Sequence, residues 1–178
     1  MSYSADQIDI LARDWFRRCR ESQMAHFEYG SRLEAYHTFL GVPSVALSTI
    51  AGTAAAGSIA GTEEAFLLEV ATVILSLSAA TLTSLQTFLN LPDRVAKHRA
   101  AGAAYSALRR ELEIFKMLPP ESGSTREFFE GIRKRMDELS ANAPGIPSSF
   151  KAEVDKKLQS EMYPRIFSFP ASPPATTG

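Results

Sequence analysis

The sequence has one cysteine, Cys19, in 178 residues, so an internal disulfide is excluded. Cys19 lies within a helical pattern, and we interpret it as a core or interface residue with no redox role. A surplus of basic charge is also missing, because 19 Lys and Arg side chains stand against 20 Asp and Glu and the net charge is −1. Proteins that bind nucleic acid usually have a basic face, so nucleic acid is not an expected partner.

Charged residues are absent from two long stretches, 35–62 and 70–92. Each stretch exceeds the roughly 20 residues that a helix needs to cross a hydrocarbon core about 30 Å thick. A short segment with three glutamates separates the two. The pattern therefore predicts a transmembrane hairpin that covers 39–91, with membrane helices over 39–61 and 70–91.

The basic residues around the predicted hairpin are distributed unevenly. They precede the first apolar run and follow the second, whereas the connecting segment has glutamates and no Lys or Arg. The positive-inside rule therefore predicts that both termini lie in the cytoplasm. The N-terminal segment has no apolar stretch behind a basic one, so no cleaved export signal is expected.

The rest of the chain has the apolar spacing of amphipathic helices and lacks the alternation typical of strands. The predicted fold class is all-α, a transmembrane hairpin with a cytoplasmic helical bundle built from an N-terminal helix, 1–38, and the helices of 92–163. Pro43 is expected near the start of the first membrane helix, where its missing N–H costs little. The proline-rich tail 164–178 is predicted to be disordered.

Three helices are predicted after the hairpin, over 94–118, 126–139 and 149–162, with a turn at 143–147. The first of these has apolar residues at helical spacing and needs a partner for that face. Its predicted buried face consists of Val95, His98, Tyr105, Leu108, Leu112, Phe115 and Met117 or Leu118.

Small residues recur at spacings of four in the first membrane run and form two rows. In lipid, such rows let helix backbones approach closely and pack where the hydrophobic effect between helices is absent. A hinge is the alternative role for the glycines. The predicted helix-packing residues are Ser48, Gly52, Ala56 and Ala60 in one row and Gly57 and Gly61 in the other.

Polar residues follow one face of the second membrane run at helical spacing. On an apolar helix such a stripe points toward another helix or toward water, rather than toward lipid. The first destination makes a seam between helices, and the second lines a pore. The candidate residues for these two roles are Thr72, Ser76, Thr83, Gln86, Thr87 and Asn90.

A basic cluster follows the hairpin and has two interpretations. Its ordinary role is to set membrane topology and to contact anionic headgroups, at about 1 kcal/mol per charge. The more specific interpretation is that the cluster binds a phosphate-bearing ligand, since one arginine side chain can donate two hydrogen bonds to a phosphate. The cluster consists of Arg94, Lys97, Arg99, Arg109 and Arg110.

The sequence has none of the motifs of phosphate-binding loops, hydrolase nucleophile elbows, zinc proteases or paired cysteines. Its carboxylates lie on solvated helix faces beside arginines, so no catalytic residue, cofactor or enzymatic activity is predicted. Three histidines, His26, His37 and His98, could converge on a metal, but polar helix-packing roles are the favoured interpretation. No metal site is predicted.

These features, in this order, resemble the SLATT family of bacterial two-transmembrane effector domains, which are associated with nucleotidyltransferases and nucleotide-sensing domains. The resemblance covers about residues 8–160. The matching residues are His26 to Tyr36, Leu40 to Pro43, Leu47 to Thr53, Leu85 to Asn90, Ala96 to Arg99, Tyr105, Leu108 to Glu111, Ala143 with Pro144, and Ile146 with Pro147.

The resemblance implies a membrane-disrupting, pore-forming effector of a bacterial conflict system, above all anti-phage defence by abortive infection. It further implies a bacterial inner-membrane location, contact with the lipid bilayer, assembly into a homo-oligomer, and a separately encoded sensor or nucleotidyltransferase-type partner. Two alternatives stay open. One is a membrane-anchored scaffold that permeabilises nothing, and the other is a soluble helical bundle that binds a partner.

Overall fold

The computed structural model describes residues 5–59, 65–118 and 125–160, and every regular element in them is a helix. The predicted all-helical fold class is confirmed. The predicted disordered tail, 164–178, lies outside the described residues. The five helices are α1 (Ala5–Ile59), α2 (Ala65–Leu89), α3 (Leu91–Met117), α4 (Thr125–Asn142) and α5 (Ser148–Ser160).

Helix α1 joins the predicted amphipathic segment to the first apolar run without a break, and Pro43 lies inside it. The prediction that a helix starts near Pro43 is therefore wrong. A proline inside a helix removes one backbone hydrogen bond, to the carbonyl four residues earlier, at a cost of about 3 kcal/mol. The long helical segments on both sides of Pro43 keep their own hydrogen bonds, which is how apolar helices tolerate an internal proline.

A single residue, Asn90, separates α2 from α3. Its φ of 44° is in the left-handed region, which asparagine tolerates better than most residues. The backbone N–H of Asn90 donates to the backbone carbonyl of Gln86 at 3.1 Å. The backbone carbonyl of Asn90 accepts from the backbone N–H of Arg94 at 3.3 Å. Pro92 follows in the first turn of α3, where no N–H is needed. Helix α3 consequently begins three residues before its predicted start at Arg94.

The contacts within the chain divide it into two compact units. Unit 1 contains 1–27 and 99–178, and unit 2 contains 28–98. Helices α1 and α3 therefore each contribute residues to both units. The predicted division into a cytoplasmic N-terminal helix, a membrane hairpin and cytoplasmic C-terminal helices is a statement about membrane location, which a division by contacts does not test.

The core of unit 1 is built from large side chains. The ring of Phe129 lies 5.4 Å from that of Trp15 and 5.0 Å from that of Phe115, both edge to face. Cys19 is fully buried in the same cluster, and burial raises the pKa of its thiol to about 12, so the thiol stays protonated. The other buried members of this cluster are Ala12, Tyr105, Leu108, Leu112 and Ile132.

Most of the buried face predicted for α3 is confirmed. Val95, His98, Tyr105, Leu108, Leu112 and Phe115 are all buried. The prediction is wrong for Met117 and Leu118, which are both largely exposed. Helix α3 ends at Met117, so these two side chains lie where the helix and its packing partners stop.

Helix α5 is held in unit 1 by apolar burial and by an ion pair. Val154 and Leu158 are fully buried. The Arg17 guanidinium of α1 is also buried, and it donates to the Asp155 carboxylate of α5 and to the Glu21 carboxylate on its own helix. Two carboxylates around one buried guanidinium offset much of the cost of removing that charge from water.

Candidate functional site

Unit 2 exposes its large apolar side chains. Among the described residues, one buried apolar cluster of unit 2 is small, with Leu33, Leu91 and Val95 as its buried members. Outward-facing phenylalanine, leucine, isoleucine and valine side chains instead cover both apolar helical segments. The exposed residues of this kind are Phe39, Val42, Val45 and Ile50 on α1, and Phe66, Leu67, Val70, Val73, Ile74, Leu77, Leu85 and Phe88 on α2.

Two helical stretches are long and apolar enough to cross a membrane, one within Asp6–Gly57 and the other within Phe66–Met117. The central helix of a soluble protein can satisfy the same criteria of length and composition, but such a helix is mostly buried. In the most apolar 18-residue windows of the two stretches, 11% and 6% of the residues are buried. The exposure of these helices is therefore the informative property, rather than their composition.

Small and hydroxyl-bearing residues form the contact between α1 and α2. The Ser44 hydroxyl lies 2.8 Å from the Thr83 hydroxyl and donates to the Ala79 carbonyl at 3.4 Å. Further along, the Gln86 amide donates to the His37 carbonyl at 3.5 Å. Residues later in α1 thus contact residues earlier in α2, which is the order of an antiparallel pair.

Glycine positions show how closely these helices approach. A Cβ added at Gly41 would lie 3.0 Å from Nε2 of Gln86, and one added at Gly57 would lie 3.5 Å from Leu68. Gly41 therefore admits the Gln86 side chain, whereas Gly57 has ordinary van der Waals room. Gly52 has nothing within 4 Å of an added Cβ, so its packing surface is open in the single chain.

A groove with a volume of about 630 Å³ runs between α1 and α2, and we call it the small-residue groove. It is lined only by alanine, glycine, serine and threonine, without a large side chain. It brings together Ser48 and Gly52, predicted for helix packing, with Thr72, Ser76 and Thr83, predicted for a seam or a pore. The remaining lining residues are Ala51, Ala55, Ala79, Ala80 and Ser84.

Several hydroxyl groups along these helices have acceptors on their own helix. Seven serine and threonine side chains donate to the carbonyl four residues earlier, at distances between 2.7 and 3.0 Å. A hydroxyl bonded in this way can lie against apolar surroundings without leaving a donor unpaired. The donors are Ser48, Thr49, Thr72, Ser78, Thr81, Thr83 and Thr87.

Other predicted residues have different positions. Gln86 is half-buried at the α1–α2 contact, whereas Thr87 and Asn90 are exposed and do not line the groove. Ala56 is exposed on α1. Ala60 and Gly61, predicted for helix packing, lie outside the described residues.

Sequence reasoning did not find Ser44, the residue that contributes a hydroxyl to the contact between the two helices. Its signal is nevertheless present, because Ser44 lies one turn before Ser48 and continues the same row of small residues at spacing four. A helix that starts near Pro43 has Ser44 in its first turn. A helix that continues through Pro43 extends the row by one turn.

The basic cluster divides between the two units. Arg94 and Lys97 belong to unit 2, and Arg99, Arg109 and Arg110 belong to unit 1. Arg94 and Lys97 are exposed, as expected for contact with headgroups.

Arg109 has partners within unit 1. Its side chain is half-buried, its guanidinium carbon lies 5.9 Å from the centre of the Phe16 ring, and one nitrogen lies 3.7 Å from the Glu113 carboxylate. Arg110 is exposed and donates to the Ser106 hydroxyl at 3.3 Å. Arg109 therefore contributes to the packing of unit 1, while Arg110 keeps an exposed charge.

Two of the three histidines pack against aromatic rings. His26 stacks on Tyr105 at 5.8 Å, and His98 meets Tyr29 edge to face at 4.9 Å. Burial and the nearby Arg94 charge lower the pKa of His98, which keeps its imidazole neutral. Within the described residues, no cluster of histidine, cysteine and acidic side chains could hold a metal ion.

Comparisons of this chain with profiles of protein families, with curated proteins and with solved structures find no match. The candidate site therefore stands on its own geometry. It consists of two exposed apolar helices that contact each other through small and hydroxyl-bearing residues.

Proposed function

We propose that this protein is a membrane-embedded effector, in which the apolar helices of unit 2 cross a bilayer and several copies together make it permeable. The exposure of the large apolar side chains of unit 2 carries this proposal. Monomeric soluble proteins rarely expose contiguous apolar patches larger than a few hundred Å². Lipid chains are the covering that such a surface fits best.

The lengths of the helices fit this proposal. Helix α2 has 25 residues, which correspond to about 37 Å at 1.5 Å per residue. Glu69, the charged residue of α2, lies near its N-terminal end and is exposed, so the uncharged part spans about 30 Å. The break at Asn90 follows at the other end. With basic residues after this break, the positive-inside rule favours cytoplasmic termini and a cytoplasmic unit 1.

Assembly of several copies is part of the proposal, because two helices cannot enclose a channel. Gly52 and the hydroxyl-lined small-residue groove offer a close approach to a helix of another copy. Thr72, Ser76 and Thr83 would then line either the interface or the permeation path, with Gln86, Thr87 and Asn90 nearer the membrane boundary.

The biological setting that we propose is bacterial conflict, with the inner membrane as the location. The resemblance to SLATT effectors supports this setting, and so does the absence of catalytic motifs from the sequence. A separately encoded sensor, such as a nucleotidyltransferase, would trigger the membrane event and stop growth of the infected cell.

Depolarisation of bacteria after induced expression tests the proposal. A membrane-potential dye should report loss of potential within minutes of wild-type induction. Ser76→Leu fills the small-residue groove and should abolish or strongly slow this loss. Thr81→Leu is the matched control, because Thr81 is an exposed α2 residue that does not line the groove, and it should depolarise like the wild type.

Membrane fractions after carbonate washing distinguish the alternatives. All three proteins should remain in the membrane. A wild-type protein that stays in the membrane fraction but causes no depolarisation would support a membrane-anchored scaffold. Release of the wild type by carbonate would contradict the membrane proposal and leave a soluble helical bundle.

A further inference from the structure

Unit 1 contains a polar cavity apart from the membrane helices. Its volume is about 210 Å³, and helices α1, α3, α4 and α5 and the segment between α4 and α5 all contribute to its lining. Six of its eleven lining residues have polar side chains. These are Glu21, Ser22, His26, Tyr105, Ser140 and Lys151, and the others are Ala25, Ala143, Pro144, Gly145 and Ile146.

The cavity reaches from the interior of unit 1 to its surface. His26 and Tyr105 are each more than nine-tenths buried, whereas Lys151 is exposed. The Tyr105 phenol shares hydrogen bonds with Ser22 and Ser140. These two bonds use two of the three hydroxyl protons, so the trio keeps one hydroxyl proton to donate to a ligand.

Hydrogen-bond donors dominate this cavity. Glu21 provides its one carboxylate, and that group already accepts from the buried Arg17 guanidinium at 3.0 Å. Burial raises the pKa of Tyr105, so its hydroxyl keeps its proton at neutral pH. The Lys151 ammonium adds a positive charge at the exposed side. A ligand with several acceptor oxygens and a negative charge complements such a lining.

The volume restricts the size of the ligand. Pockets for drug-sized molecules have about 300–1,000 Å³, so this cavity suits a smaller molecule. Water is the alternative occupant, since about seven molecules would fill the space at roughly 30 Å³ each. The lining has an ammonium and a hydroxyl proton that can donate to a ligand, which favours an oxyanion over water.

We propose that this cavity binds a small anion that carries a phosphate group and is free in solution. The Lys151 ammonium and one hydroxyl of the Ser22, Tyr105 and Ser140 trio donate to the phosphate oxygens, and His26 lies at the buried end of the cavity. The site is independent of membrane permeation, so it can fail while the proposed function stands.

Calorimetric titration of the purified full chain with inorganic phosphate tests this site, in maltoside detergent that contains no phospholipid. Ionic strength is held constant with chloride. The wild type should show saturable binding. Lys151→Gln should weaken it about tenfold through loss of a charge-assisted hydrogen bond, and Ser140→Ala should weaken it several-fold. Lys156→Gln, an exposed α5 position outside the cavity, should bind like the wild type.

Three results would overturn the proposal. Absence of saturable heat with millimolar phosphate would show a cavity that holds only water. Equal binding by Lys151→Gln and Lys156→Gln would place the phosphate elsewhere. Loss of phosphate binding in nanodiscs that contain phosphatidylglycerol would assign the cavity to lipid headgroups rather than to a free ligand. Circular dichroism spectra matching the wild type show that the variants are folded.

Discussion

The two units of this protein differ in where their large apolar side chains lie. Unit 1 buries Phe129, Ile132 and Leu108, whereas the contact between α1 and α2 in unit 2 buries Ala51 and Ala79 and leaves phenylalanines such as Phe88 exposed. Helices α1 and α3 contribute to both units, so a difference in chain or helix type does not explain the contrast. The proposed membrane location of unit 2 would account for it, because water rewards burial of large apolar groups and lipid does not.

The contrast can be put in energetic terms. Burying a large apolar side chain away from water contributes about 1.5–3 kcal/mol, and unit 1 makes this gain many times. In a single chain, unit 2 buries few large apolar side chains and so gains little of this free energy. Its helices gain instead from close backbone approach and from hydroxyl contacts such as Ser44 with Thr83, which are the means available in lipid.

The largest expected effect separates two phenylalanines, one in each unit. Phe129 is 8% exposed in the core of unit 1, and Phe88 is 85% exposed on α2. Phe129→Ala should lower the free energy of unfolding by about 3–5 kcal/mol. Phe88→Ala should change it by less than about 0.5 kcal/mol. Denaturant unfolding in detergent measures both changes in the free energy of unfolding. Equal losses for Phe129→Ala and Phe88→Ala would contradict the difference between the two units.

A charge placed on the exposed face of α2 is expected to have the next largest effect. Leu77 is 68% exposed near the middle of α2. In water Leu77→Arg would be almost neutral, but at the centre of a bilayer it costs about 3 kcal/mol. We therefore expect a clear loss of carbonate-resistant protein.

Ile114→Arg is the control for that charge, because Ile114 is 60% exposed on the part of α3 in unit 1. It should leave the membrane fraction unchanged. Equal retention of Leu77→Arg and Ile114→Arg would mean that water surrounds both positions.

The ion pairs of buried Arg17 should contribute less than the aromatic core. Asp155→Asn removes one carboxylate partner of Arg17 and should lower the free energy of unfolding by about 1–3 kcal/mol. Glu153→Gln, an exposed substitution on the same helix, should have almost no effect in the same urea titration. Identical midpoints for the two variants would show that the Arg17–Asp155 ion pair contributes little to stability.

The acid side of the stability profile should depend on His98. Its pKa is lowered in the folded protein, whereas the unfolded chain titrates near the ordinary value of about 6.5. As the pH falls through that value, the unfolded state binds the extra proton and stability decreases. His98→Gln should flatten this decrease, and His37→Gln should retain it. Thermal unfolding between about pH 8 and pH 5 measures the difference, and parallel profiles for the wild type and His98→Gln would contradict this role.

The smallest expected effect comes from the hydroxyl contact between α1 and α2. Thr83→Val keeps the shape of the side chain and removes its contact with Ser44. Hydrogen bonds between membrane helices contribute about 0.6 kcal/mol on average, so the loss should be of that order. Unfolding in bicelles measures it, and a loss above about 2 kcal/mol would indicate a seam that depends on hydrogen bonds rather than on close packing.

Periodicity alone predicts most of the fold. The spacing of Leu108, Leu112 and Phe115 predicts the buried face of α3, because a helix repeats every 3.6 residues whatever surrounds it. The prediction is wrong at Pro43. Proline is locally favoured at a helix start, but the helical segments on both sides of Pro43 form one continuous helix. The prediction is also wrong at Met117 and Leu118, because a periodic pattern does not show where the packing partners end.

The candidate site is less predictable than the fold. The rows of small residues include Ser48 and Gly52, which line the small-residue groove, but they do not reveal the register that joins Ser44 to Thr83. The polar cavity of unit 1 has no sequence signal at all. Its lining comes from four helices and a connecting segment that only the folded chain brings together.

Spin labels at single cysteines test most directly whether lipid surrounds the exposed helices of unit 2. The experiment uses a Cys19→Ala background in proteoliposomes. It compares labels at two exposed α2 positions, Val73→Cys and Leu77→Cys, with a label at the exposed α4 position Asp137→Cys. If lipid surrounds α2, the labels at positions 73 and 77 should collide more often with oxygen than with a water-soluble nickel chelate. The label at position 137 should collide more often with the nickel chelate. Nickel collisions at 73 and 77 that match those at 137 would contradict the account.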